Sequence, residues 1–341
     1  IACLTILMIN LDLTIVNLAL PKIAKDLSST MSTIQWVVNG FSIMAAVFMV
    51  FAGKLGDAKG LKKCFLWGVG IFGLSCLFAG FAQNGVELVI FRLIQGFGFA
   101  LTLPICLAIV AYFFEGDRRT HAMGWVSATI GFSQAIGPTI GGLILQYLNW
   151  RWTFFINVPI SCLIILVGMS VIKPIPSKKQ PLDIFGALLL CTSLVLLIYD
   201  LNQLHYWRID SFAFLSILIT SFALLIICLL FERKISSPVI ALHLLKMAVF
   251  IKLVIVRIAL QAPYLLLLFL FGLLMMNILC YSPLVACFIF IAVSAPILVI
   301  SLFSHRIAKR LSIKYSLVVS GVFNLLAFVG LSLSGVHAPL W

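Results

Sequence analysis

Long, uninterrupted apolar stretches recur along the whole of this 341-residue chain, and they limit it to very few folds. The chain is 63% hydrophobic and only 10% charged, more apolar surface than a soluble domain of this size can hide. A bilayer core about 30 Å thick can hide it, at roughly 20 apolar residues per helix. Because the stretches lack the two-residue alternation of barrel strands and backbone groups in lipid must pair internally, we predict an all-α integral membrane protein.

The breaks between the apolar stretches, rich in Gly, Pro, Asn and charge, divide the chain into eleven predicted spans. These lie at residues 1–20, 34–54, 64–82, 87–111, 122–147, 153–172, 184–203, 211–231, 249–276, 283–304 and 315–334. The first stretch has no basic start and no small-residue cleavage site, and it contains Asp12. We therefore interpret it as a span and not as a signal peptide.

The net charge of +13 is concentrated in alternate short loops. One set of loops holds most of the Lys and Arg residues, whereas the other holds only Lys22, Lys25, Arg151 and Arg208. The positive-inside rule then places the basic loops and the N-terminus in the cytoplasm. This pattern accounts for the charge without a nucleic-acid partner.

Asp12 lies inside the otherwise apolar first span, nine residues before Pro21. Nine residues of helix measure about 13 Å, so Asp12 is near the middle of the bilayer, where a charge costs roughly 2.5–3.5 kcal/mol. Such a residue faces a cavity or a partner, and we expect a proton or cation-substrate site. A purely structural bond between helices is the alternative. Asn17, in the same span, is a second candidate for a polar cavity position.

Arg92 lies near the outer end of the fourth span, and Gln95 follows it on the same helix face. Arginine stays protonated and cannot itself transfer a proton, but it can hold a nearby carboxylate ionised. We predict that Asp12, Arg92 and Gln95 couple protons to substrate. Snorkelling of Arg92 to the outer headgroups is the alternative.

Small residues line one face of the fifth span, where Gly131, Ala135, Pro138 and Gly142 are spaced for close helix approach. Pro138 also removes a backbone hydrogen bond and permits a kink. The face is either ordinary packing or a sliding surface for gating. The residues to which we assign the gating role are Gly131, Gly137, Pro138, Gly141 and Gly142.

Asp57 is predicted to lie in a cytoplasmic turn between the second and third spans, with Gly53 and Gly60 allowing the chain to bend. Asp57 either latches the inward side by accepting bonds from a helix N-terminus or only caps the turn.

Two further charged residues belong to later spans. Arg257 is about 12 Å inside the ninth span, so we expect an acidic partner or an anionic substrate for it. Asp200, near the outer end of the seventh span, is a weaker candidate because water can reach it there. We find no phosphate-binding loop, no His/Cys cluster and no cofactor motif, so we expect no enzyme activity, metal or cofactor.

Five segments, in order, resemble motifs of the major facilitator superfamily, specifically its fourteen-helix drug:proton antiporters. These are the first-helix segment Leu11–Pro21, the loop Gly53–Lys63, the helix-four segment Arg92–Gly96, the helix-five segment Gly137–Gly142 and the helix-six entry Trp150–Pro159. The resemblance extends over nearly the whole chain.

The resemblance implies two six-helix bundles separated by two inserted helices. We accordingly divide the chain into an N-terminal bundle at 1–172, the linker and inserted helices at 173–235, and a partial second bundle of three helices at 236–341. Asp183–Gly186 resembles the start of the insert, and Tyr281–Leu284 resembles the start of the second helix of the second bundle. Eleven spans in place of fourteen indicate a fragment or a truncated gene product.

The resemblance implies a proton-driven exporter of small hydrophobic or cationic compounds in a bacterial inner membrane. Its partners would be lipid, the substrate and protons, and an outer-membrane efflux protein is an open possibility. An uptake permease of the same fold is one alternative. A non-transporting relative is another, which the missing helices and Ala308, in place of the family's acid, would favour.

Overall fold

The computed structural model describes residues 1–176, 183–203, 211–233, 235, 246–273 and 313–334, and every regular element in these ranges is a helix. The helices are α1 (Ala2–Asp26), α2 (Met31–Lys59), α3 (Leu61–Phe81), α4 (Gly85–Phe113), α5 (Gly116–Tyr147), α6 (Trp152–Phe155), α7 (Asn157–Val171), α8 (Ile184–Gln203), α9 (Phe212–Glu232), α10 (Ala248–Leu273) and α11 (Ile313–Ser334). The predicted all-α class is confirmed.

The helices coincide with the predicted spans but extend past them. α1 continues through Pro21 to Asp26, and α5 begins at Gly116, six residues before its predicted span. Hydropathy marks only the part of a helix that lies in hydrocarbon, and charged residues carry the same helix onward into the headgroup region. The sixth span is divided at Ile156 into α6 and α7. The predicted span 283–304, the segment Tyr281–Leu284 and Ala308 lie outside the described residues.

Seven helical stretches in the described ranges are long and apolar enough to cross a membrane. They are α1, Ser32–Lys59 of α2, α3, α4, α5, Trp152–Val171 across α6 and α7, and α9. The longest is α5, whose 32 residues measure about 48 Å, well beyond the hydrocarbon thickness of about 30 Å.

The first seven helices share one hydrophobic core, whose largest buried side chains include Phe65, Phe72, Trp150 and Phe154. α4 packs between α2 and α3, while α5 packs along α1. Close approach of α4 to α3 requires Gly98, because a methyl group there would lie 2.7 Å from the backbone nitrogen of Phe72. α4 also contacts α1, which is where polar residues of the two helices meet.

α8 and α9 pack against each other as a hairpin, and α8 also contacts α2. Cys191 of α8 lies with Ile43 and Val47 of α2 in a second apolar cluster, and the rings of Trp36 and Tyr199 are 5.9 Å apart. The division at residues 172 and 235 remains a prediction.

The connection between α2 and α3 differs from the predicted turn. α2 continues to Lys59, so Asp57 and Gly53 are helical and the chain reverses only at Gly60, whose φ of 97° favours glycine. The prediction that Asp57 lies in the turn is therefore wrong. Its carboxylate is exposed and has no hydrogen bond to the described part of the chain. Glycines spaced along a helix resemble a loop in sequence, which explains the error.

Candidate functional site

Asp12 and Arg92 form a salt bridge in the interior of the first seven helices. Arg92 Nη1 donates to Asp12 Oδ2 over 2.7 Å, and the two side chains are 2% and 0% exposed. The residues are 80 positions apart in sequence, so only the packing of α4 across α1 joins them. The carboxylate predicted to need a partner has one, and Arg92 does not snorkel outward.

Three neutral side chains complete the contacts of this ion pair. Gln95 accepts from Arg92 Nη1 at 2.7 Å and donates through Nε2 to Asp12 Oδ1 at 2.9 Å and to Cys76 Sγ at 3.0 Å. Asn157 Nδ2, at the start of α7, donates to Asp12 Oδ1 at 3.1 Å. The Asp12 carboxylate thus accepts bonds from three side chains, all of them buried.

The Arg92 guanidinium is held by α2 as well. Its Nε donates to the carbonyl oxygen of Val37 over 3.0 Å, and its central carbon lies 4.2 Å from the ring centroid of Phe41. The ring of Phe154 is 6.0 Å away on α6. A planar cation with fixed donors suits this site better than an ammonium group does.

The start of α4 orients this arrangement. The Asn84 side chain caps the helix by accepting from the backbone nitrogen of Glu87. In return, the Glu87 carboxylate accepts from the Gln83 backbone nitrogen and from Asn84 Nδ2, as in a capping box. Two turns later, Arg92 and Gln95 lie on the same face, as their spacing predicts. A residue larger than glycine at Gly96 would meet the Phe41 carbonyl of α2.

The site balances one positive charge against one negative charge in the buried interior. Neutralising Asp12 would leave the guanidinium charge without its counterion, and an uncompensated buried charge is costly. The Asp12 carboxylate thus links α1 to side chains of α4 and α7.

Two of the glycines to which the gating role is assigned, Gly137 and Gly141, contact α1 beside this site. A methyl group at Gly137 would overlap the Thr14 hydroxyl, and one at Gly141 would lie 3.2 Å from Ile15 Cγ2 and from Leu18 Cδ1. The residues of the predicted face that the structure shows to be buried are Gly131, Pro138 and Gly142.

Other predicted site residues lie apart from the ion pair. The Asn17 side chain is exposed and donates to the Leu13 carbonyl of its own helix at 2.8 Å. Arg257 is exposed on α10 and has no ion pair with the described part of the chain. A methyl group at Gly53 would meet nothing within 4 Å. The structure does not bring these residues into the Asp12 site.

Asn157 and Cys76 complete the site but were not predicted. Asn157 is an amide inside an apolar span, a signal that the sequence contains. Cys76 resembles the other buried cysteines, and nothing in its sequence context distinguishes it.

A cavity of about 970 Å³ opens where α1 begins, α4 ends and α5 begins. Its lining is mainly apolar and includes Phe65, Phe113 and Trp125, with Arg118 and His121 at one side. Neither Asp12 nor Arg92 lines it. The ion pair is therefore closed off from this cavity.

Comparison with known proteins places the chain in a family. The model of the Major Facilitator Superfamily matches residues 2–341. The chain is 33% identical to the tetracenomycin C resistance and export protein of Streptomyces glaucescens, over 64% of the chain and 41% of that protein. It is 33% identical to multidrug resistance protein 3 of Bacillus subtilis, over 72% of the chain and 48% of that protein. The chain thus spans about half the length of these two relatives.

The chain is 28% identical to the riboflavin transporter RibZ of Clostridioides difficile, over 100% of the chain and 74% of RibZ. Among solved structures, the peptide transporter POT in complex with sulfate superposes with a TM-score of 0.57 at 14% identity, covering 91% of this chain and 68% of that one. That likeness shows the fold. With a family model that matches nearly every residue and a helical fold that agrees with it, this multi-pass membrane protein belongs to the major facilitator superfamily.

Proposed function

We propose that this chain forms part of a secondary transporter that exports small hydrophobic or cationic compounds from a bacterium in exchange for protons. The observation that supports the proposal is the Asp12–Arg92 salt bridge, whose nitrogen and oxygen are 2.7 Å apart in a fully buried site. A charge pair of this kind adds little net stability over an apolar pair. Its placement in a lipid-spanning bundle is better explained by a role in moving charge.

Asp12 is the residue that would carry the proton. Arg92 cannot release one, and Gln95 and Asn157 are neutral amides. When a proton binds Asp12, the Arg92 guanidinium loses its counterion but keeps the Val37 carbonyl and the Phe41 ring. The contact between α1 and α4 then weakens, and the seam of Gly137 and Gly141 against α1 is the surface on which movement would follow. We assign Asp12, Arg92 and Gln95 to coupling and the α5 glycines to gating.

Export is favoured over uptake by the names of the relatives, which include resistance and export proteins. The second candidate is transport of a planar heteroaromatic compound related to riboflavin, because a relative that aligns over the whole chain is a riboflavin transporter. Substrate flux measured in right-side-out and in everted vesicles, under opposite pH gradients, would distinguish export from uptake.

The substitution Asp12→Asn tests the coupling role. In everted vesicles that contain the intact gene product, we expect this variant to lose substrate accumulation driven by an imposed pH gradient while it inserts normally. Asp26→Asn is the matched control, since Asp26 is exposed at the end of the same helix. Exchange of labelled for unlabelled substrate without a gradient should survive in both variants. Gradient-driven transport at the normal rate in Asp12→Asn would refute the proposal.

A further inference from the structure

Asp200 lies in the last turn but one of α8 and is completely covered by protein. Its exposed fraction is 0%, and neither carboxyl oxygen has a hydrogen-bond partner in the part of the chain that the structure describes. The expectation that water reaches Asp200 from the end of its span is therefore wrong. α8 packs on α9 and on α2.

No described helix packed against α8 offers Asp200 a counterion. Asp200 is the one charged residue of α8, and the part of α2 from Met31 to Phe51 has none. α9 has only Glu232, which lies beside Gly186 at the opposite end of the hairpin. Gly186 and Asp200 are 14 residues apart on α8, which is about 21 Å.

Few groups near Asp200 can themselves titrate. The neighbouring Tyr199 packs its ring on Trp36, and Cys191 lies two turns away against the Val47 carbonyl. On α9, Cys228 donates to the Gly186 carbonyl at the far end. None of these groups can neutralise a carboxylate at Asp200.

An ionised carboxylate with neither a cation nor a hydrogen-bond donor is the most expensive state a buried acid can adopt. The neutral acid avoids that cost. We propose that Asp200 is a second proton-binding site, carried by the α8–α9 hairpin and independent of the Asp12 site. One carboxylate oxygen takes a proton from hydronium, an O–H bond forms and water is released, so no other reactant is needed.

Access to this site would come from the near end of α8. Asp200 is three residues from Gln203, the last residue of α8 that the structure describes, a distance of about 4.5 Å along the axis. The Asp12 site differs because its carboxylate is already bound by Arg92, Gln95 and Asn157.

Carbodiimide labelling of the intact, unmutated protein tests the proposal. A hydrophobic carbodiimide adds to a protonated carboxyl in an apolar site, whereas a water-soluble one reacts with accessible carboxyls. At neutral pH we expect mass spectrometry to find the hydrophobic label on Asp200 and not on Asp12, and the soluble label on the exposed Asp57. The hydrophobic label on Asp200 should decrease as pH rises. Absence of that label, or equal labelling of Asp200 by both reagents, would overturn the proposal.

The isosteric variant Asp200→Asn supplies an independent measurement. We expect it to keep the melting temperature of the parent protein, since the amide resembles the neutral acid, and to lose one carboxylic-acid stretching band from the infrared spectrum at neutral pH. Loss of a carboxylate band would show that Asp200 is ionised and would contradict the proposal. Both measurements are made without substrate, so they do not depend on the direction or coupling of transport.

Discussion

Asn157 Nδ2 lies 3.1 Å from Asp12 Oδ1, which ties the start of α7 to the middle of α1 across 145 residues of sequence. The same amide nitrogen is 3.4 Å from the Thr153 carbonyl, and the Ser161 hydroxyl donates to the Asn157 carbonyl at 2.6 Å. The sixth predicted span therefore contributes directly to the site of the Asp12–Arg92 salt bridge, through the first residue of α7.

Replacing Asn157 with Ala removes one of the three donors to the Asp12 carboxylate. Hydrogen bonds to charged groups contribute about 1.5–3 kcal/mol, so we expect a loss of that size in the free energy of unfolding, measured in detergent. Ser170→Ala on the same helix is the control, since Ser170 is exposed. Equal stability of Asn157→Ala and Ser170→Ala would contradict the geometry described for this site.

The Asp12–Arg92 pair lends itself to a double-mutant cycle. Asp12→Ala leaves a buried guanidinium unpaired, and we expect it to cost about 3–5 kcal/mol of unfolding free energy. Arg92→Met leaves the carboxylate unpaired at a similar cost. The double variant has no buried charge and should be more stable than the sum of the two losses predicts. Additive losses would show that the residues do not interact.

Retaining the positive charge should not retain function. Arg92→Lys keeps one cation but cannot at once donate to Asp12, Gln95 and the Val37 carbonyl and lie flat on Phe41. We expect this variant to insert normally and to lose gradient-driven transport. The conservative exchange Lys25→Arg at the exposed end of α1 should be neutral in the same assay.

Gly137 and Gly53 form a matched pair of glycine-to-alanine tests. At Gly137 the new methyl group overlaps the Thr14 hydroxyl, and overpacking typically costs about 1–3 kcal/mol. At Gly53 the methyl group meets nothing within 4 Å, and the better helix propensity of alanine adds roughly 0.5–1 kcal/mol. We expect opposite shifts in melting temperature. A Gly53→Ala variant that is stable yet inactive would support a conformational role for Gly53.

The α8–α9 hairpin has a similar close contact at Gly186. A methyl group there would overlap the Asp183 carboxylate and lie 2.7 Å from Glu232 Oε1. Since Asp183 Oδ1 also accepts from the Gly186 backbone nitrogen at 2.8 Å, the contact closes one end of α8 on α9. We expect Gly186→Ala to destabilise the hairpin, detected as faster proteolysis, whereas Gly70→Ala, with 3.9 Å to its nearest neighbour, should not.

The spans and the class of fold could be predicted because hydropathy measures the same quantity that places a helix in lipid. Gln95 could be placed beside Arg92, since both lie on one helix face. Their contact with Asp12 could not be derived from the residues alone, because it depends on which helices become neighbours. Asp200 shows the same limit. Its distance from the span end suggests water, but its side chain is fully buried, and a single-span pattern contains no information on what packs around a residue.

The length of α5 has a mechanical consequence. From Pro138 to the beginning of the helix at Gly116 there are 22 residues, a rigid arm of about 33 Å. A tilt of about 10° at Pro138, where a backbone bond is missing, would swing the far tip by roughly 6 Å while the glycine contacts on α1 shift by far less. The exposed charges Asp117, Arg118 and Arg119 sit on that tip. A small rotation of α5 at Pro138 would thus produce a large displacement of the charged residues at its first turn.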